Sequence, residues 1–156
     1  MATNTTFNKA QHAIWNNQMA GIVKKITKVC SVGDFTDGTS TSGYVDFDSG
    51  ALPADCFVIG WKAVTTAAGA WDDDTTAVMT VGISGATDKY SGGGAASVAA
   101  AGTVGDCGKL ATNAPIVWND SAATPRVTVT GNADFTSFVT AGTCESTVSI
   151  YYIELN

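Results

Sequence analysis

Two runs of alternating side chains, at 56–66 and 76–84, constrain this chain more than any other feature. The first reads Cys-Phe-Val-Ile-Gly-Trp-Lys-Ala-Val-Thr-Thr and the second Thr-Ala-Val-Met-Thr-Val-Gly-Ile-Ser, with a small Gly- and Asp-containing connector between them. β-Branched and aromatic residues at period 2, on either side of such a connector, predict a long β-hairpin. Phe57, Ile59, Trp61 and Ala63 then share one face, as do Ala77, Met79, Val81 and Ile83. Lys62, Thr66, Thr76, Thr80 and Gly82 fall opposite. A hairpin with one apolar face does not stand alone in water, so a second sheet must cover it.

The remaining chain supplies further strands. Ile22–Cys30 reads as the first, Gly33–Gly43 as a loop, and Tyr44–Asp48 as a short alternating strand. A short strand is predicted at Lys89–Ser91, and Ala95–Ala101 is either a helical turn or a packed loop. Cys107–Leu110, Ile116–Trp118 and Arg126–Thr130 are strands, the last with Val127 and Val129 facing the core. Gly131–Gly142 is a long loop in which Phe135, Phe138 and Val139 need cover. The closing strand, Thr147–Leu155, carries apolar residues on both faces, which suits a central strand or one whose outer face meets another subunit. About eight strands with almost no helix predict an all-β fold, a β-sandwich of the jelly-roll type.

That sandwich spans 22–156 as one domain, preceded by an N-terminal arm at 1–21. Phe7, Ile14, Trp15 and Met19 make the arm too apolar for a bare tail. It docks either on a partner or on its own domain.

Composition excludes several function classes. Eight basic residues against 14 acidic ones, a net charge of −6, leave too little Lys and Arg to neutralise a row of phosphates. Lys24, Lys25 and Lys28 read as a solvated strand edge. The first residues lack the apolar run of a signal peptide, and no stretch approaches the roughly twenty apolar residues of a membrane helix. The expected product is therefore made in the cytoplasm, with no membrane partner. Four cysteines, Cys30, Cys56, Cys107 and Cys144, show no CxxC spacing; synthesis there favours free, buried thiols over bridges.

Reactive groups are few. His12 is the only histidine and sits in the arm without a carboxylate beside it, which speaks against a hydrolase triad. Asp46, Asp48 and Asp72–Asp74 supply carboxylates for a glycosidase pair, yet aspartates beside Gly and Ser are ordinary turn residues. The Asp72–Asp74 run lacks the alternating spacing and terminal Glu of a calcium loop, so no metal or other cofactor is expected. Gly92–Gly94 does not open a phosphate-binding loop. Of the tryptophans, Trp61 belongs to the core. Trp71 and Trp118 lie near turns and are candidates for exposed contacts, including contacts to sugars.

Phe-Val-Ile-Gly-Trp-Lys-Ala-Val-Thr-Thr-Ala at 57–67 and Met-Thr-Val-Gly-Ile at 79–83 resemble strands of small structural proteins of tailed bacteriophages. Thr-Val-Thr-Gly-Asn at 128–132 and the closing Val-Ser-Ile-Tyr-Tyr-Ile-Glu-Leu at 148–155 are similar to segments of the same group. The likeness covers about residues 44–155. Proteins of this kind include capsid cement, or decoration, proteins, which are jelly rolls that trimerise over junctions of the major capsid protein. The resemblance implies a non-enzymatic virion component on the capsid surface, with the major capsid protein and further copies of itself as partners. Phe7, Ile14 and Trp15 of the arm, with Tyr151 and Ile153 of the last strand, are the expected intersubunit contacts. The alternative is a tail or fibre module that binds carbohydrate or a receptor through Trp71, Trp118 and Asp72–Asp74.

Overall fold

A computed structural model describes residues 23–39, 41–65, 76–92, 96–98, 102–104, 116–136 and 145–155. The predicted arm, the connector at 67–74 with Thr66 and Thr75 beside it, and the predicted strand Cys107–Leu110 lie outside these residues, as do Phe138 and Val139. The described elements are β1 (Val23–Ser31), a 3-10 turn (Val32–Asp34), β2 (Thr36–Thr39), β3 (Ser42–Asp46) and β4 (Cys56–Thr65). They continue with β5 (Val78–Ile83), β6 (Ala96–Ser97), β7 (Gly102–Val104), β8 (Val117–Asn119), β9 (Pro125–Thr130) and β10 (Glu145–Glu154).

These strands form two antiparallel sheets. The first runs β1-β10-β4, with β7 and β8 both bordering β4 at its opposite ends; the second runs β2-β3-β9-β5-β6. The chain therefore changes sheet on passing from β1 to β2, β3 to β4, β4 to β5, β6 to β7, β8 to β9 and β9 to β10. Neighbours in each sheet come from distant parts of the sequence, β1 beside β10 and β3 beside β9. That interleaving is the double Greek key of a jelly roll, as predicted.

One expectation fails here. The runs at 56–66 and 76–84 do not pair as a hairpin. β4 lies between β10 and the β7–β8 edge, whereas β5 lies in the opposite sheet between β9 and β6. Both runs bury their apolar faces against each other's sheet instead of sharing a ladder. Period and composition are the same in the two arrangements, which is why the sequence did not separate them.

A β-bulge changes which face of β4 is apolar. Val58 pairs with Tyr152 and Gly60 with Tyr151, so Ile59 is the extra residue and the alternation changes phase. Cys56, Val58, Trp61, Ala63 and Thr65 point inward, while Phe57, expected on the Trp61 face, points outward. The core is built from these residues with Cys30, Val148, Ile150 and Tyr152, packed against Val45, Met79, Val81, Val127 and Val129 of the second sheet. Trp61 is 1% exposed, and burying such a side chain contributes on the order of 2–3 kcal/mol. Leu52 and Phe135 close the gaps left between the sheets. Cys30 and Cys56 are buried, and Cys107 and Cys144 lie outside the described residues.

Three local expectations are also corrected. The segment expected as a loop at 33–43 contains the 3-10 turn and β2, which pairs with β3. Asp34 Oδ2 accepts from the Ser31 backbone N–H at 2.9 Å and holds that turn. Lys89–Ser91 is a turn rather than a strand: the N–H groups of Tyr90 and Ser91 both donate to the Val81 carbonyl, folding 84–91 onto β5. Gly82 permits this approach, because a Cβ there would lie 2.1 Å from the Ala86 oxygen. Ala96–Ser97 forms the short edge strand β6, where a helical turn or a loop had been expected.

Candidate interaction surface

Side chains of β10 alternate between core and exterior. Ser146, Val148, Ile150 and Tyr152 are buried, while Thr147, Tyr151 and Ile153 remain partly open on the outer face of the first sheet. Because β10 is central, its outer residues meet those of β1 on one side and β4 on the other. Val23 pairs with Ile153, Ile153 with Phe57, and Phe57 with Trp118 of β8. One unbroken apolar row thus crosses four strands at one end of the sheet. Val23 is 42% and Trp118 41% exposed. The Trp118 ring packs on Phe57 with centroids 4.6 Å apart and a tilt of 52°.

Moving along the strands, the next row is Lys25, Tyr151 and Gly60, followed by Thr27, Ser149 and Lys62. Thr27 Oγ1 and Ser149 Oγ share a hydrogen bond of 3.2 Å. Val29, Thr147 and Val64 form the row beyond, and Glu145 stands opposite Ser31 at the far end. Lys24 pairs with Glu154 at the strand termini; the hydrogen bond that its Nζ donates to that carboxylate raises the lysine pKa above its ordinary value.

The outer face of the second sheet has another character. Tyr44, Thr128 and Thr80 align across it, next to Asp46, Arg126 and Gly82. Arg126 donates to both oxygens of Asp46, at 2.6 and 2.8 Å, and lies 3.7 Å from the centroid of the Tyr44 ring. Asp46 holds the Arg126 guanidinium firmly protonated. Both Asp46 carboxylate oxygens are thus engaged by Arg126.

A buried polar cluster joins the two sheets. Asn119 Oδ1 accepts from Tyr90 Oη and Lys89 Nζ, each at 3.0 Å, and its Nδ2 faces Cys56 Sγ at 3.6 Å. The Cys56 thiol donates to the Pro53 carbonyl at 3.2 Å. Burial pushes the Tyr90 phenol up, opposed by its bond to Asn119. These groups satisfy one another and have no histidine or carboxylate among them, so the cluster is a structural tie. Among the described residues no group of His, Cys, Asp and Glu is arranged to hold a metal.

Of the residues singled out in the sequence, Tyr151, Ile153 and Trp118 are brought to one face of one sheet. Phe7, Ile14, Trp15, Trp71, Asp72–Asp74 and His12 lie outside the described residues. Val23 and Phe57 complete the apolar row and were missed. Phe57 was assigned to the core because nothing in the local pattern announces the bulge at Ile59.

No protein-family model matches the chain. Nor does any curated protein sequence. Solved structures do. A chain of the cyanophage Pam1 capsid asymmetric unit superposes with a TM-score of 0.56 at 17% identity, covering 85% of this chain and 85% of that one. A chain of the capsid of Ralstonia phage GP4 superposes with a TM-score of 0.52 at 13% identity, covering 87% of this chain and 86% of that one. At such identities the likeness establishes a shared β-sandwich fold. Near-equal coverage of both partners also means that the matched chains are close to this one in length.

Proposed function

We propose that this protein is a non-enzymatic structural component of a phage virion, a cement or decoration protein that binds as a homotrimer across major capsid subunits at the capsid surface. The observation that carries the reading is the partly exposed row Val23–Ile153–Phe57–Trp118, on a jelly roll whose solved counterparts of similar length occur in two phage capsid structures. A contiguous apolar strip on an outer sheet face is what a protein that works against another protein presents. Phe7, Ile14 and Trp15 of the N-terminal arm, with Tyr151 and Ile153, make the intersubunit contacts in this reading.

A small protein that binds only the assembled shell stabilises it by mass action. Three linked copies touching several subunits multiply that effect through effective concentration. Neither effect needs a reactive residue. Light scattering after size exclusion gives the native mass, and addition to capsids lacking the protein gives occupancy. The expected results are a species of three chains, saturable binding, and capsids that withstand higher temperature once decorated. A monomer that leaves capsids bare counts against the reading.

A further inference from the structure

We propose that Lys89 and Asn119 close an intramolecular isopeptide bond, which makes the tie between the two sheets covalent. The groups involved already meet. Lys89 Nζ and Tyr90 Oη each donate to Asn119 Oδ1 at 3.0 Å, and Asn119 Nδ2 donates to Cys56 Sγ at 3.6 Å. Two donors at one atom and a sulfur acceptor at the other fix which end of the amide is the carbonyl. Asn119, Tyr90 and Cys56 are 2%, 4% and 0% exposed, so the amide sits in a water-poor site with half-buried Lys89 beside it.

Each neighbour suits one part of the reaction. Among the described residues no carboxylate pairs with Lys89, so no ion pair holds its amine in the charged form. A modest turn of the lysine side chain carries its nitrogen from the carbonyl oxygen to the carbonyl carbon, at the about 3–3.5 Å from which attack proceeds. Burial pushes the Tyr90 phenol up and keeps it protonated, as a donor to the oxygen that gains charge in the tetrahedral intermediate. Cys56 Sγ lies beside the nitrogen that leaves. The neutral amine forms the Nζ–Cγ bond and the Cγ–Nδ2 bond breaks. One amine proton passes to Nδ2, which departs as ammonia. Nothing is oxidised or reduced, and no co-reactant is consumed.

The placement gives the bond a purpose. Lys89 belongs to the turn folded onto β5 of the second sheet, and Asn119 ends β8, opposite Cys56 of β4 in the first. A covalent link between residues 30 positions apart restricts the unfolded chain as a disulfide does, without needing an oxidising compartment.

The intact mass of the full-length protein tests this, after incubation at mildly alkaline pH to raise the share of neutral amine. The expected species is lighter by one ammonia, and its protease digest contains the Lys89 and Asn119 peptides joined. Lys89→Arg keeps the positive charge at the site and is expected to retain its full mass. Tyr90→Phe is expected to close about a hundredfold more slowly, as loss of one such donor does. Unaltered protein that keeps its full mass overturns the proposal. So does an ammonia loss that persists in Lys89→Arg, because Asn119 would then have cyclised on its own backbone. Closure of Tyr90→Phe at the unaltered rate overturns the role given to the phenol. The unaltered protein and Lys89→Arg decide the bond even if Tyr90→Phe is unstable, and neither outcome depends on capsid binding.

Discussion

The ring of Phe135 fills the space over Gly43 that a side chain there would need: a Cβ at Gly43 would lie 1.9 Å from the Phe135 Cζ. Gly43 is on the inner face of β3, opposite Val129, and Phe135 is fully buried with Phe35 6.3 Å away, centroid to centroid. Phe135 thereby anchors the described segment after β9, residues 131–136, in the core. Gly43→Ala should force the ring aside and destabilise the fold by about 1–3 kcal/mol, and Phe135→Ala by about 3–5 kcal/mol. Combining Gly43→Ala with Phe135→Leu should recover part of the loss, since the two residues share one space. Urea unfolding of Gly43→Ala, Phe135→Leu and their combination measures this; additive losses would show that ring and glycine are not coupled.

Trp61 carries a buried indole N–H with no hydrogen-bond partner among the described residues. An unpaired buried donor already costs the native state about 1–3 kcal/mol. Trp61→Phe removes that donor while leaving a smaller apolar ring, so the lost packing and the relieved desolvation oppose each other. Stability should change by less than about 1.5 kcal/mol, well below the about 3–5 kcal/mol of Trp61→Ala. Denaturant midpoints of both variants check the ratio.

Asp46 and Arg126 make a two-pronged ion pair on a half-open surface, with the guanidinium also resting on Tyr44. Solvent screening keeps such a pair modest despite its short bonds. A double-mutant cycle with Asp46→Ala and Arg126→Ala should give a coupling of about 0.5–1 kcal/mol that falls as salt is added. A coupling indistinguishable from zero at low salt would mean that the pair contributes nothing to stability.

Tyr90 gives the fold an alkaline limit. Burial raises its pKa above the ordinary value of 10.0, and the neutral phenol donates to Asn119. A raised folded-state value means that this stability is present below the unfolded value and is lost as pH rises through the folded one. Tyr90→Phe should cost about 1 kcal/mol at neutral pH through the lost hydrogen bond. Above about pH 10 the gap between variant and parent should narrow, because phenylalanine has no proton to lose. Unfolding midpoints of both proteins across that range decide it; a gap that stays constant would remove Tyr90 from the alkaline transition.

Much of the fold was legible residue by residue. The sequence pattern placed strands over 22–30, 56–66, 76–84, 126–130 and 147–155, within a few residues of the observed 23–31, 56–65, 78–83, 125–130 and 145–154, and assigned Val127, Val129, Met79 and Val81 to the core. It did so because a strand with one buried face must repeat every second residue. Of the surface described above, Tyr151 and Ile153 could be singled out because apolar residues on both faces of the closing strand break the expected pattern, and Trp118 because it lies near a turn.

Pairing was decided elsewhere. Whether β4 joins β5 as a hairpin or faces it across the sandwich depends on contacts made with β9 and β10, far along the chain. The phase of β4 depends on one extra residue, Ile59, whose bulge appears only when the strand is laid against Tyr151 and Tyr152. The row Val23–Ile153–Phe57–Trp118 draws on four strands separated by long stretches of sequence. Local chemistry thus determined that these segments are strands and which residues in them are apolar, because both follow from near neighbours. Only the tertiary structure decided which strands lie side by side and which apolar residues face outward together, because hydrogen-bonded register is a property of pairs of strands and not of any one of them.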